Sequence, residues 1–262
     1  MTSIKLGPSG LGSVATAEKV LEQYSNLGFK ACEIAFTYGV YIKENQCEKI
    51  RKVAEKYDIS LSIHAQYWIN LNSADKTKIE QSKQRILKCC KIGHLLGAKK
   101  IVFHAGFYGK MSKEETYNNI RDAIIDIQKI IKENKWDVEL CPETMGKINV
   151  FGNVEEILAL VKDTKCSFTI DFSHLYARSL GKMSYKEMLA PFKEFKSLHC
   201  HFSGIDYGDK GEKNHKPVDK EKLTNLLKEI LKTNHSVTII SESPDPVQDS
   251  SLGLEILEEL KD

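Results

Sequence analysis

The sequence predicts a (β/α)8 TIM barrel, a single domain over residues 1–262. Three observations carry that expectation. Eight short apolar or β-branched runs alternate with helical patterns, as in a closed parallel sheet wrapped by helices. The length of 262 residues suits one such barrel, which takes about 250. Finally, every run from the third to the eighth is followed by a histidine, an aspartate or a glutamate. These are His64, His104, Glu143, Asp171, His201 and Glu242. An open doubly wound sheet would gather its polar residues at one switch point instead.

The strand runs fall at residues 4–6, 31–35, 60–63, 100–103, 138–141, 167–170, 197–201 and 237–241. Each is short and rich in branched or apolar side chains. Helical patterns at 15–28 and 45–57 fill the first two gaps. In the third, 76–96, Ile79, Ile86 and Cys90 form one stripe. In the fourth, Ile120, Ile124, Ile127 and Ile131 recur at helical spacing, and Ser112 with Glu115 forms a capping-box pair at its start. Helices at 153–161, 184–195 and 220–231 follow, and Leu252, Ile256 and Leu260 close the chain on a last one. The longest weakly patterned stretch, 202–217, is a polar loop on the ligand-bearing side of the barrel. Long loops there usually carry substrate contacts.

Composition narrows the class. A chain this long buries enough surface to need no disulfide staple. Its seven cysteines are odd in number, lack CxxC spacing and mostly sit in apolar runs, as reduced thiols of a cytoplasmic protein do. No signal peptide and no membrane span is expected. The formal charge of +2, from 38 Lys plus Arg against 36 Asp plus Glu, neither demands nor excludes a nucleic-acid partner. Arginine is scarce, which weakens any picture built on many bidentate phosphate grips.

The residues at the strand ends predict a metal centre. One histidine at a strand end is more often a hydrogen-bonded structural residue than a ligand. Six such residues converging on one mouth reverse that balance, because unpaired buried carboxylates are costly. Two imidazoles and a carboxylate, then a third imidazole with further carboxylates, exceed what one tetrahedral ion requires. Two or three ions fit, with a carboxylate bridging at least one pair. His174 and His215 are further candidates. His199, two residues before His201, points the same way along its strand and is expected one layer deeper. His94 reads as a helix packing or surface residue, and His235 as a turn residue.

At this point the chain resembles the endonuclease IV family of zinc-dependent apurinic/apyrimidinic endonucleases, within the wider xylose-isomerase-like barrels. The likeness spans nearly the whole chain and rests on HAQYWINLNS (64–73), FHAGFYG (103–109), PETMGK (142–147), DFSHLYARS (171–179) and ESPDP (242–246). The resemblance implies that His64, His104 and Glu143 hold one zinc. It implies that Glu143 bridges to a second, held with Asp171, His201 and Glu242, and that His174 and His215 hold a third. Glu143 would be the catalytic residue. The implied reaction is hydrolysis of the DNA phosphodiester 5′ to an abasic site, leaving a 3′-hydroxyl and a 5′-deoxyribose phosphate. The implied partner is double-stranded DNA bound by a monomer, with Tyr67 and Trp68 matching the family's aromatic or apolar wedge as DNA contacts; where the family inserts a basic residue after its second strand, this chain departs and offers Tyr38 and Tyr41 instead.

Two departures from the family pattern stand out. Where the family has an aspartate two residues before its loop histidine, this chain has Lys213, with Glu212 beside it. The family's Asn-Asp after the seventh strand is replaced by Ser203 and Gly204. The rival expectation is a sugar isomerase or epimerase using a two-metal centre on the same barrel, with Glu143 or Glu242 moving a proton. Zn2+ is the expected metal, and Mn2+ or Fe also suits mixed imidazole and carboxylate ligands.

Overall fold

The computed structural model describes residues 3–261. Among these, the strands are β1 (Ser3–Pro8), β2 (Ala31–Ala35), β3 (Ser60–His64), β4 (Lys100–Phe103), β5 (Glu139–Pro142), β6 (Ile170–Asp171), β7 (Ser197–Phe202), β8 (Gly204–Gly208), β9 (Gly211–Lys216) and β10 (Ser236–Ser241). The helices are α1 (Ala17–Asn26), α2 (Glu44–Lys56), α3 (Lys76–Leu96), α4 (Lys113–Glu133), α5 (Val154–Thr164), α6 (Phe172–Arg178), α7 (Tyr185–Leu189), α8 (Lys220–Leu231) and α9 (Pro246–Glu259).

The barrel is two parallel arcs, β2-β3-β4-β5 and β6-β7-β10-β1. They meet at two seams, where single parallel bridges pair Ser9 with Glu33 and Glu143 with Thr169. The apolar core follows the same division. One cluster holds Ile34, Ile63, Ile101 and Leu140 under α1 to α4. The other holds Leu6, Ile170, Cys200 and Ile239 under α6 to α9. All seven cysteines are free and buried.

Local chemistry explains the helix ends. Ser112 accepts the Glu115 amide at the start of α4, one half of the expected box. Asn153 and Glu156 make the full reciprocal box at α5. α3 stops at Gly97, which takes the left-handed conformation with φ 72°.

The structure departs from the sequence reading in three places. The stretch 184–195 is not one helix. α7 ends at Leu189 and tightens into a 3-10 turn, Ala190–Phe192, because Pro191 has no amide to extend the α-helical ladder. The sixth strand pairs regularly only at Ile170–Asp171, although Ser167 and Thr169 already donate to Leu140 and Pro142. Directly after it runs the unforeseen α6, with Asp171 as its cap. Lastly, the loop 202–217 is a β-hairpin, β8 with β9, folded over the mouth.

Candidate metal centre

His64, His104, Glu143, Asp171, His201 and Glu242 stand at or just beyond the C-terminal ends of their barrel strands, while His174 comes from α6 and His215 from β9. Four groups form around shared space among the described residues, three of them at the mouth: His64, His104 and Glu143; then Glu143, Asp171, His201 and Glu242; then Asp171, His174 and His215; the fourth, Glu33 with His199 and His201, lies deeper. Glu143 is fully buried at the seam and belongs to the first two. Its Oε2 faces His64 Nε2 at 3.2 Å and His104 Nε2 at 3.1 Å. Its Oε1 faces His174 Nδ1 at 3.2 Å and His201 Nδ1 at 3.4 Å. One carboxylate thus serves both sides of the mouth.

Backbone carbonyls settle which ring nitrogens are free. Nδ1 of His64 donates to Ala65 O at 2.8 Å, Nδ1 of His174 to Thr144 O at 2.9 Å, and Nδ1 of His215 to Glu242 O at 3.0 Å. In the neutral imidazole the opposite nitrogen, Nε2, then carries a lone pair. In each case Nε2 points into the mouth, so the local fold presets three rings as acceptors for a cation.

The site also holds buried polar atoms without hydrogen-bond partners, namely Glu143 Oε1, Asp171 Oδ2 and His201 Nδ1. They aim at common space, and neutral imidazoles with carboxylates are donors that divalent ions accept. The residues present therefore fit one or more metal ions. Electrostatics agrees. Burial would raise the Glu143 carboxyl, but the imidazoles of His104 and His201 outweigh it and hold the group well below the ordinary carboxylate range. Burial pushes the Asp171 carboxyl up, and neighbouring Glu143 adds to the rise against the pull of His174. Three acidic groups this close call for positive charge.

The hairpin resolves the Lys213 departure. In a regular strand Lys213 would share a face with His215. Instead, Asp206 pairs with Asn214 and Tyr207 with Glu212, so Lys213 is an extra residue in a β-bulge. Lys213 lies over Gly208. Glu212 takes the inward place, with Oε2 3.6 Å from His174 Nε2. Gly146 makes room, since a Cβ there would stand 2.7 Å from the Glu212 Cβ.

Arg178, on α6, holds the loop beneath the hairpin. Its guanidinium donates to the carbonyls of Met145, Lys147, Ile148 and Val150 at 2.6–3.3 Å. That loop in turn pairs with the hairpin through Glu212 N to Gly146 O and Ile148 N to Lys210 O.

The mouth opens into a cavity of about 500 Å³ whose lining includes Tyr67, Phe107, Lys147, Glu212 and His215. Tyr67 stacks on His104, with centroids 5.8 Å apart. Beyond it, Trp68 leans on Tyr38, which is 82% exposed. Tyr41 instead packs edge-on against buried Phe36, which leaves it the least available of the four expected contacts.

Two residues escaped the sequence reading. Phe107, in FHAGFYG, is exposed at the cavity rim. Glu33, midway along β2, is fully buried beside His199 and His201. An acid inside the run ACEIA was its signal. His199 does sit one layer below the mouth, paired with Glu33. His94 accepts the Asp137 amide as a packing residue.

Residues 21–260 match the family described as xylose isomerase-like TIM barrel. An uncharacterised protein of Methanocaldococcus jannaschii is 37% identical over 267 residues, covering 97% of each chain. Apurinic-apyrimidinic endonuclease 1 of Plasmodium falciparum is 28% identical over 207 residues, covering 72% of this chain and 34% of its own length. This chain thus spans about a third of that relative. Among solved structures, SacUVDE superposes with a TM-score of 0.78 at 16% identity, covering 100% of this chain and 99% of its own. Endonuclease IV from Thermus thermophilus gives 0.74 at 18%, covering 98% and 99%. A D-tagatose 3-epimerase-like protein gives 0.71 at 19%, covering 97% and 96%. At these identities the structural likeness speaks for the fold alone. No described helix is long and apolar enough to cross a membrane.

Proposed function

The chain belongs to the xylose isomerase-like TIM barrel family, and from that premise we propose that it is a metal-dependent endonuclease that hydrolyses DNA at abasic sites. The reading includes cleavage 5′ to the lesion, double-stranded DNA as the partner, zinc as the metal, a monomeric enzyme and a cytoplasmic place of work. The sequence relatives named apurinic-apyrimidinic endonucleases support it. The observation that carries it is the placing of the two oxygens of Glu143 on two separate ligand groups.

In this reading His64, His104 and Glu143 hold one ion, and Glu143, Asp171, His201 and Glu242 a second. Asp171, His174 and His215 hold a third, with Glu212 as an added carboxylate. When bound, such ions supply Lewis-acid stabilisation of phosphoryl charge and ready deprotonation of water near neutral pH. The chain's own contribution is position. The carbonyls of Ala65, Thr144 and Glu242 fix three rings before substrate arrives, so no reorganisation is needed at the moment of reaction. Tyr67, stacked on His104, walls the mouth against bulk water. Trp68, Tyr38 and Phe107 offer aromatic faces at the rim, where an unstacked base can be received.

The test is incubation of the metal-loaded protein with a duplex carrying one abasic site. A product ending in a 3′-hydroxyl is expected. Glu143→Gln should abolish cutting while the fold survives. Undiminished cutting by that variant would remove the bridging role. An intact duplex, together with epimerisation of a ketose and one or two tightly held ions, would favour the sugar-enzyme reading instead.

A further inference from the structure

Glu33 lies outside the three groups assigned to the ions, yet it is completely buried. Barrel interiors are usually filled by branched aliphatic side chains, and a buried carboxylate is destabilising unless its partners compensate it. Two strands, β3 and β7, supply those partners. β2 and β3 set Glu33 beside Ser62 in register. On β7, the two-residue period turns His199 and His201 to the same side.

The carboxylate divides its contacts. Oε2 accepts the Ser62 hydroxyl at 2.7 Å and the His199 Nε2 proton at 2.9 Å. Oε1 lies 2.9 Å from His201 Nε2; the N–H is turned off the line of a hydrogen bond, and each of the two atoms is buried without another partner. The opposite nitrogen of His201, Nδ1, looks toward Glu143 Oε1 at 3.4 Å and Glu242 Oε2 at 3.5 Å. So the far nitrogen of His201 faces a carboxylate that belongs to none of those three groups, where His64, His174 and His215 have backbone carbonyls at Nδ1.

We propose that Glu33 is the positioning residue of His201: by accepting the Nε2 proton it fixes the tautomer whose Nδ1 lone pair serves the second ion. Ser62 and His199 both act on the other oxygen, so they anchor Glu33 and leave Oε1 to His201. This role rests on the metal-centre reading and is independent of which substrate the centre serves.

The experiment uses the full chain and two probes, zinc and cobalt(II), titrated against a competing chelator. In long-range 1H–15N spectra of the zinc-loaded wild type, His201 should carry its proton on Nε2. Glu33→Ala should weaken one ion roughly 10–100-fold, the range typical of such outer partners, and should shift the cobalt absorption bands. The ion on His64 and His104 should keep its affinity. Glu33→Gln, which retains an acceptor oxygen without the charge, should fall between, and Glu33→Asp should recover part of the loss. Wild-type affinity in the alanine variant, or a His201 protonated on Nδ1, overturns the proposal. If the alanine variant does not fold, the wild-type spectrum and the glutamine variant decide. A wild type that binds no ion overturns this role together with the metal centre. Intact ion binding without DNA cleavage overturns the nuclease reading alone.

Discussion

His174 and His215 turn Nε2 toward Nε2 across 3.3 Å. Both Nδ1 protons are already committed to backbone carbonyls. Two lone pairs face to face repel unless a shared cation or proton stands between them. That relationship makes the third group a candidate cation site, toward which the bulge at Lys213 turns the Glu212 carboxylate.

The metal count should therefore follow Glu212 and not its neighbour. His215→Ala should remove about one ion per chain, and Glu212→Ala should weaken the same ion about tenfold or more. Lys213→Ala should leave the count unchanged. Elemental analysis after dialysis reads all three. A lysine variant that gained an ion would mean the bulge has been misassigned.

Arg178 should matter beyond its charge. Arg178→Ala leaves four loop carbonyls without their donor. With charge-assisted bonds at about 1.5–3 kcal/mol each and water replacing some of them, a loss of about 2–4 kcal/mol is expected in denaturant unfolding. Hydrogen exchange should accelerate across 145–150. Arg178→Lys should not restore protection, because a single ammonium cannot span a planar set of acceptors. Wild-type exchange in that lysine variant would contradict the clamp.

The aromatic rim should act on binding. Trp68 and Tyr38 lie outside the ligand set, with centroids 6.0 Å apart. Base stacking on an aromatic side chain contributes about 1–3 kcal/mol, so Trp68→Ala should raise KM for the abasic duplex about tenfold. The variant's kcat and metal content should hold. A fall in kcat at constant KM would place Trp68 in the chemistry instead.

The metal-free protein should show a two-sided pH response. Glu242, whose burial is outweighed by His201 and His64, has its pKa lowered from 4.5 to about 2. Its contribution is complete above 4.5 and disappears as pH falls through about 2. His64, whose burial is outweighed by Glu143 and Glu242, is raised from 6.5 to about 9. Its contribution is complete below 6.5 and disappears as pH rises through about 9. Without metal, Tm should be highest between pH 4.5 and 6.5. With metal, the alkaline decline should vanish, because ions replace the protons on the rings. Scanning calorimetry with and without chelator checks both arms, and a metal-free Tm that climbs steadily toward pH 9 would contradict the assignment.

Much of this arrangement was readable beforehand. The strand-end ligands announced themselves because a parallel barrel delivers every strand's C-terminal end to one face, so position in the run was enough. Glu33 was not readable that way. It sits mid-strand, and sequence does not say which side chains across a closed barrel meet in its interior. α6 was hidden because its seven residues are too short to establish a helical period, and its cap, Asp171, had already been read as a ligand. That Glu212 could stand in for the family's aspartate through a shifted loop was one of two alternatives the sequence left open, the other being an altered or empty third site; the bulge that brings Glu212 inward has no signature in local composition.

The two arcs of the barrel touch through few main-chain bonds at the Glu143–Thr169 seam. His64, His104 and Glu143 come from one arc, and Asp171, His201 and Glu242 from the other. Cations seated among them would rivet the halves together, adding to the main-chain bonds that Leu140, Pro142 and Thr169 accept there. Stripping the ions should then loosen the protein first along that line, before either half begins to melt.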